Sequence, residues 1–239
     1  MRVLDLTLPS PEQNLACDEA LLAACEDGDA HDVLRFWEPR QHFVVLGYSS
    51  RISADAKLAA CRGARVPVLR RVSGGGTVLQ GPGCLNATLI LRLERHAPLQ
   101  TISGTTAFIL ERHRQALEPS VGRPVERRGL SDLAIGGVKF SGNAQRRKRG
   151  CVLFHGTFLL DFDLPLVDRL LAMPSRQPDY RRNRPHQEFL MNLRLPAETV
   201  KRAIAQAWEA AEPLAAAPME RIARLVAERY RSDAWTHRL

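Results

Sequence analysis

One unbroken run could do chemistry: Arg70-Arg71-Val72-Ser73-Gly74-Gly75-Gly76-Thr77-Val78. Glycine has no Cβ, so Gly74, Gly75 and Gly76 let the backbone turn sharply and come close to a ligand. Successive backbone N–H groups then face an anion or a carbonyl. Arg71 adds fixed charge and Ser73 a hydroxyl. Read alone, the run is equally a glycine-rich hairpin turn with solvated arginines. Lys139 follows a second glycine pair, Gly136-Gly137. A lysine projecting into a pocket neutralises a phosphate or a developing oxyanion. Its alternative is a surface lysine with an apolar stem. His155 stands in an apolar run before Gly156-Thr157. It could be a base, a ligand-positioning group or a satisfied core histidine. Asp132 could hold magnesium through its carboxylate or shape a turn.

These residues need elements to place them. Val66–Leu69 reads as a strand entering the glycine run. Leu85, Ala87, Leu89, Leu91 and Leu93 alternate with Asn86, Thr88, Ile90 and Arg92, which predicts a strand of a half-buried antiparallel sheet. Asn86 then lies on the face open to a ligand. Asp132–Phe140 reads as a hairpin turned at Gly136-Gly137. Arg146–Arg149 reads as a cationic loop and Cys151–Phe162 as a strand. Upstream, Met1–Leu8 suggests an edge strand, and Ser10-Pro11-Glu12-Gln13 opens a capped helix. Val33–Trp37 and His42–Tyr48 form a hairpin or two strands with a crossover. Helices are expected over Ala54–Cys61, Thr101–Leu117, Leu166–Met173, Ala197–Ala211 and Met219–Trp235. Pro119–Arg123 and Pro174–Gln187 read as loops. Strands with helices between them give an α+β fold: a mixed, largely antiparallel sheet packed with helices.

The 239 residues are 45% hydrophobic and 25% charged, an ordinary globular composition. A net charge of +8 favours an acidic partner or ligand. Nucleic acid is disfavoured, because aromatics are only 6% and do not interleave with the basic residues. No apolar run is long enough to span a bilayer, and no leader precedes the first helix. The five cysteines, Cys17, Cys25, Cys61, Cys84 and Cys151, include no CxxC pair. The odd count predicts reduced thiols and a cytoplasmic protein, with Cys17, Cys25 and Cys61 as buried helix thiols.

Taken in order, the segments resemble the lipoate–protein ligase and octanoyltransferase family, which shares its catalytic domain with biotin–protein ligases. Arg70 to Val78, continued by Gly83 and Leu85-Asn86, is similar to the family's RRxSGGGxV. Arg128-Gly129-Leu130-Ser131-Asp132-Leu133 with Gly137-Val138-Lys139-Phe140-Ser141-Gly142-Asn143-Ala144 looks like its GRND…GxKxSGxA. His155-Gly156-Thr157-Phe158-Leu159 is similar to its HGTLL strand, and Asn14 to Leu21 fits its opening helix.

The resemblance implies a class II biotin/lipoyl synthetase-like catalytic domain over residues 1–195, with a C-terminal helical extension over 196–239 packed on it. It implies ATP-dependent activation of lipoate or octanoate to an acyl-adenylate. The acyl group then passes to a lysine of an acidic lipoyl domain or glycine-cleavage H protein. Lys139 would contact the acyl carbonyl or adenylate phosphate. Arg71, Ser73, Gly74, Gly75, Gly76, Thr77, Asn86, Ser141, Gly142, His155 and Gly156 would line the ligand, and Asp132 would hold magnesium or the nucleotide. The family's tyrosine-histidine-aspartate is Leu79-Gln80-Gly81 here, and its asparagine is Ser131. The two-domain ligases' accessory domain has no counterpart, so a separate accessory chain is one expectation. An octanoyltransferase, passing the acyl group through a cysteine thioester without ATP, is the alternative. Its cysteine positions fall at Arg128-Gly129-Leu130 or about Met173-Pro174-Ser175, and neither holds cysteine. A non-catalytic lipoyl- or biotinyl-binding protein is the second alternative.

Overall fold

A computed structural model describes residues 1–29 and 31–239. The chain opens with β1 (Arg2–Asp5) and α1 (Pro11–Glu26). Ser10 Oγ accepts from the Gln13 N–H while Gln13 Oε1 accepts from the Ser10 N–H, so two orphan donors of the helix start are satisfied. β2 (Val33–Trp37) and β3 (Phe43–Leu46) follow, then α2 (Ile52–Asp55) and α3 (Leu58–Gly63). β4 (Val68–Arg70) enters the glycine run and β5 (Val78–Gln80) leaves it. β6 (Cys84–Arg92) leads to α4 (Ile102–Val121), whose cap is Thr101. Next come β7 (Glu126–Arg128), β8 (Asp132–Ile135), β9 (Val138–Lys148) and β10 (Cys151–Leu159). The chain ends through α5 (Leu164–Leu170), α6 (His186–Phe189), α7 (Ala197–Ala207), β11 (Glu212–Pro213), α8 (Met219–Leu225) and α9 (Asp233–Thr236).

Among the described residues the strands form two sheets. The larger runs β11-β1-β2-β6-β10-β9-β8-β7, and the smaller runs β4-β3-β5. β1 lies parallel to both neighbours and β3 parallel to β4, while every other pairing is antiparallel. This is the mixed, largely antiparallel α+β fold expected from the strand pattern.

Register sets which residues can meet, because directly paired side chains share a face. His155 lies opposite Thr88 and Ala144, and Thr157 opposite Asn86 and Gly142. These residues form one face. Leu85, Leu89, Phe154 and Phe158 form the other, in a core shared with Ile109 and Leu110 of α4 and Val200 and Ile204 of α7.

Several local expectations change in three dimensions. β6 is covered on both faces rather than half-buried, since α1 packs over Ile90 while α4 lies on the opposite side. Arg146, Arg147 and Lys148 belong to β9, because pairing with β10 continues to Cys151–Lys148. β2 and β3 lie in different sheets, so the crossover holds and the hairpin does not. β1 is not an edge, since β11 pairs outside it. The helix expected at 54–61 breaks at Ala56, which is extended and bridges to Leu171. α4 runs past Pro119 to Val121, and a π-helical turn at Val226–Tyr230 interrupts the last helix. The expected loop over 174–187 includes the first turn of α6, with Arg181 and His186 buried. The cysteines are not all free: Cys25 and Cys151 form a disulfide with Cα atoms 6.4 Å apart. α1 crosses the sheet so that its last turn meets the start of β10, a juxtaposition invisible over a separation of 126 residues.

Arg70 ties the C-terminus to this framework. It is fully buried. Its Nη1 donates to the carbonyls of Gly47, Tyr48 and Ser50, and its Nε and Nη2 donate to Thr236 O. Trp235 Nε1 donates to the Arg70 carbonyl at 2.9 Å. Arg70→Met leaves those buried acceptors without their donor. It is expected to cost about 3 kcal/mol, read as a lower urea midpoint at unchanged slope.

Candidate active site

The glycine loop wraps around Arg71. Arg71 Nη2 donates to Gly74 O at 2.6 Å and Gly76 O at 2.8 Å, and Nε donates to Ser73 Oγ at 3.0 Å. Gly75 adopts φ +83, and a Cβ there would lie 3.0 Å from Arg71 Nη2 and 3.5 Å from Ala144 Cβ. The loop therefore folds over β9, and its positive φ favours glycine at this position. Burial pushes Arg71 down to about 10, which leaves it cationic at neutral pH. Its partners are uncharged carbonyls and a hydroxyl, so a net positive charge sits under the exposed Gly74–Gly76 backbone.

A buried polar chain fastens this loop to the sheet. Ser73 Oγ and His155 Nε2 are 2.6 Å apart, and His155 Nδ1 lies 3.0 Å from Asp18 Oδ2. Arg35 Nη1 donates to Asp18 Oδ1 at 2.6 Å, and Thr88 Oγ1 donates to Asp18 Oδ2 at 2.9 Å. Burial works to raise the Asp18 pKa, yet Arg35 and His155 together hold it below its ordinary value of 3.8. The ionised carboxylate can only accept, so Nδ1 donates to Asp18 and Nε2 is left to meet the Ser73 hydroxyl. The order resembles a hydrolase triad. Here Ser73 is fully buried and also accepts from Arg71, so the chain tethers the loop rather than presenting a nucleophile. Asp18 and Arg35 were not singled out from the sequence. Their signal was a carboxylate on the apolar face of α1 and an arginine inside an otherwise apolar strand.

Lys139 marks the other end of the site. Its Nζ lies 2.7 Å from Asp132 Oδ1, and Tyr180 Oη donates to Asp132 Oδ2 at 2.8 Å. Burial and the Asp132 charge push the Tyr180 phenol far up, so it stays a donor. A Cβ on Gly142 would sit 2.7 Å from Lys139 Nζ, so only glycine lets this lysine lie across the strand. The Lys139 side chain is 23% exposed and accessible to a ligand. Asp132 engages Lys139 through one oxygen and Tyr180 through the other.

Between these ends, Asn86, Gln80 and Thr157 form a closed knot. Asn86 and Gln80 exchange amide hydrogen bonds at 3.1 Å, and Thr157 Oγ1 donates to Asn86 Oδ1 at 2.6 Å. Gln80, a departure from the family pattern, is thus a buried structural partner of Asn86. Thr77 points away and donates to Asp55 Oδ2 at 2.7 Å. Ser141 and Gly156 face the other side of the sheet. Ser141 accepts from Asn143 Nδ2, and the Asn143 side chain fills the space a Cβ on Gly156 would need. Arg71, Ser73, the three glycines, Asn86, Gly142, His155, Asp132 and Lys139 are therefore brought to one face, and Ser141, Gly156 and Thr77 are not. The free thiols Cys17, Cys61 and Cys84 are buried. Burial raises all three, Cys17 to about 11 and Cys84 to about 12.

Residues 10–209 match the lipoyl protein ligase A/B catalytic domain. The chain belongs to that family. Among relatives of this chain is a protein of Mycoplasma pneumoniae named for lipoate-protein ligase A, 31% identical over 173 residues, covering 72% of this chain and 49% of the relative. A similarly named protein of Aeropyrum pernix is 32% identical, covering 71% and 61%. Octanoyltransferase LipM of Symbiobacterium thermophilum is 29% identical over 192 residues, covering 72% and 69%. The chain thus spans about half the length of the first relative and under two thirds of the second. Among solved structures, a bipartite lipoate protein ligase of Thermoplasma acidophilum has a TM-score of 0.84 at 20% identity, covering 99% of this chain and 95% of that one. A lipoate-protein ligase A bound with ATP has 0.82 at 22%, covering 99% and 98%. These two establish the fold.

Proposed function

We propose that this chain is a lipoate–protein ligase that activates lipoate or octanoate with ATP and transfers the acyl group to a carrier lysine. The observation that carries this reading is the Lys139 end of the site. An accessible ammonium is held there by Asp132, which Tyr180 fixes in turn, and the free thiols are all buried. In the first step an acyl carboxylate oxygen attacks the α-phosphorus of ATP, and pyrophosphate leaves. In the second, the carrier amine attacks the acyl carbon, the bond to the phosphate oxygen breaks, AMP leaves and the amine proton passes to solvent. Lys139 supplies fixed positive charge where anionic oxygens sit in both steps. The Arg71-backed loop offers N–H groups over the same ligand. The ATP-bound neighbour and the ligase-named relatives support this reading.

The LipM relatives support a second reading, octanoyl transfer from a carrier protein without ATP. Thioester chemistry needs a thiolate, and burial opposes one at Cys17, Cys61 and Cys84. Alanine at each of the five cysteines in turn is expected to leave turnover within about threefold of wild type. Loss of a nucleophile would cost far more, beyond about a hundredfold. Single-turnover acylation of an apo lipoyl domain, followed by mass spectrometry, separates these outcomes.

A further inference from the structure

Next to the Lys139 site stands the most exposed large apolar side chain among those described, Leu130 at 94%. It occupies the turn between β7 and β8, two residues before Asp132. A single exposed leucine is ordinary on a protein surface, but this one stands beside the Lys139 site on a rim of positive charge. The turn itself is held firmly. Gly129 adopts φ +54, and a Cβ there would lie 3.0 Å from Pro178 Cβ and 3.3 Å from the Tyr180 ring.

The segment packed on this turn carries unneutralised charge. Arg176 and Arg182 flank Pro178–Tyr180, both are exposed, and neither forms an ion pair among the described residues. Arg182 and Asn183 adopt left-handed backbone, φ 52 and 57. Gln177 pins that conformation: its Nε2 donates to Asn183 Oδ1 at 2.6 Å, and its Oε1 accepts from the Asn183 N–H. Arg128 is already paired with Glu126, and Asp179 is the opposing charge on the segment. The rim thus keeps an excess of positive charge around one apolar tip, within one turn of the carboxylate that holds Lys139.

We propose that Leu130, Arg176 and Arg182 form the docking point for an acidic carrier domain, which seats an apolar side chain on Leu130 and brings its lysine toward Lys139. This rests on the ligase reading above. Charge complementarity selects the partner's acidity, and the apolar tip supplies the desolvated contact.

The test uses the full chain with an acidic apo lipoyl domain as probe. Leu130→Asp and the double variant Arg176→Glu/Arg182→Glu are compared with wild type. Both changes are on exposed side chains, so melting temperature is expected to stay unchanged. The carrier's Kd and KM are expected to rise on the order of tenfold in each variant, at unchanged kcat. Acyl-adenylate formation without carrier is expected to match wild type. In wild type the carrier's KM rises with salt, and the arginine variant flattens that slope. Unchanged carrier Kd in both variants, or no carrier binding by wild type, overturns the proposal. A wild type that binds the carrier but forms no adenylate refutes the ligase reading instead, and the Kd comparison still decides the docking point.

Discussion

Lys139→Ala is expected to lower acyl transfer by at least about a thousandfold, about 4 kcal/mol of transition-state stabilisation. The reasoning is geometric. The ammonium lies across Gly142, and Asp132, itself fixed by Tyr180, holds it there, so its charge is in place before a ligand arrives. Preorganised charge needs no reorganisation at the moment of reaction, which is why its removal is costly. The side chain is partly exposed and anchors no core, so the fold is expected to survive the change. Lys139→Arg is expected to rescue poorly, because a planar guanidinium cannot replace a point charge seated over a glycine. Asp132→Asn keeps a hydrogen-bond partner but loses the ion pair. It is expected to cost about tenfold, as a loosened lysine would. Steady-state kinetics with an apo lipoyl domain reads all three. Activity within tenfold of wild type in Lys139→Ala would remove the residue from the mechanism.

The second large effect lies in the core. Asp18→Ala leaves Arg35 buried with no carboxylate and is expected to cost about 3–5 kcal/mol, enough to threaten a marginally stable fold. Denaturant unfolding measures it. The double change Asp18→Leu/Arg35→Met removes both charges and is expected to recover part of the loss, which separates an uncompensated charge from a lost contact. His155 loses its acceptor in both, so the Ser73 tether and the glycine loop are released and activity is expected to stay low in the recovered double variant.

The same carboxylate sets an acid limit. Its folded pKa is depressed below the ordinary 3.8. A depressed carboxylate contributes stability that is fully present above its unfolded value and lost as pH falls through its folded one. Wild type is therefore expected to lose stability as pH drops below about 4, and Asp18→Asn to show a shallower fall there. A matching slope in the variant would show that Asp18 carries no such linkage.

The main motifs were legible because their residue types are locally unusual. Three glycines after a strand, a lysine after a glycine hairpin and a histidine in an apolar strand each break a local rule. The structure places all three on one face. Asp18 and Arg35 were hidden because their meaning depends on register: α1 must cross β2 and β10 before either side chain has a partner. Ser141 and Gly156 show the converse. Both sit in motif segments, yet strand alternation turns them to the far side of the sheet. β6 looked half-buried because its alternating polar residues Asn86 and Thr88 are buried against polar partners rather than water. The disulfide joins residues 126 apart, beyond any local pattern.

The most direct test of the central claim weighs the acceptor. The intact chain is incubated with an apo lipoyl domain and either lipoate plus MgATP or an octanoyl-carrier protein without ATP. Mass spectrometry then reports the product. Ligase chemistry predicts the lipoyl mass increment in the first mixture and an unmodified acceptor in the second. An octanoyl increment in the second mixture, with no modification in the first, would contradict it.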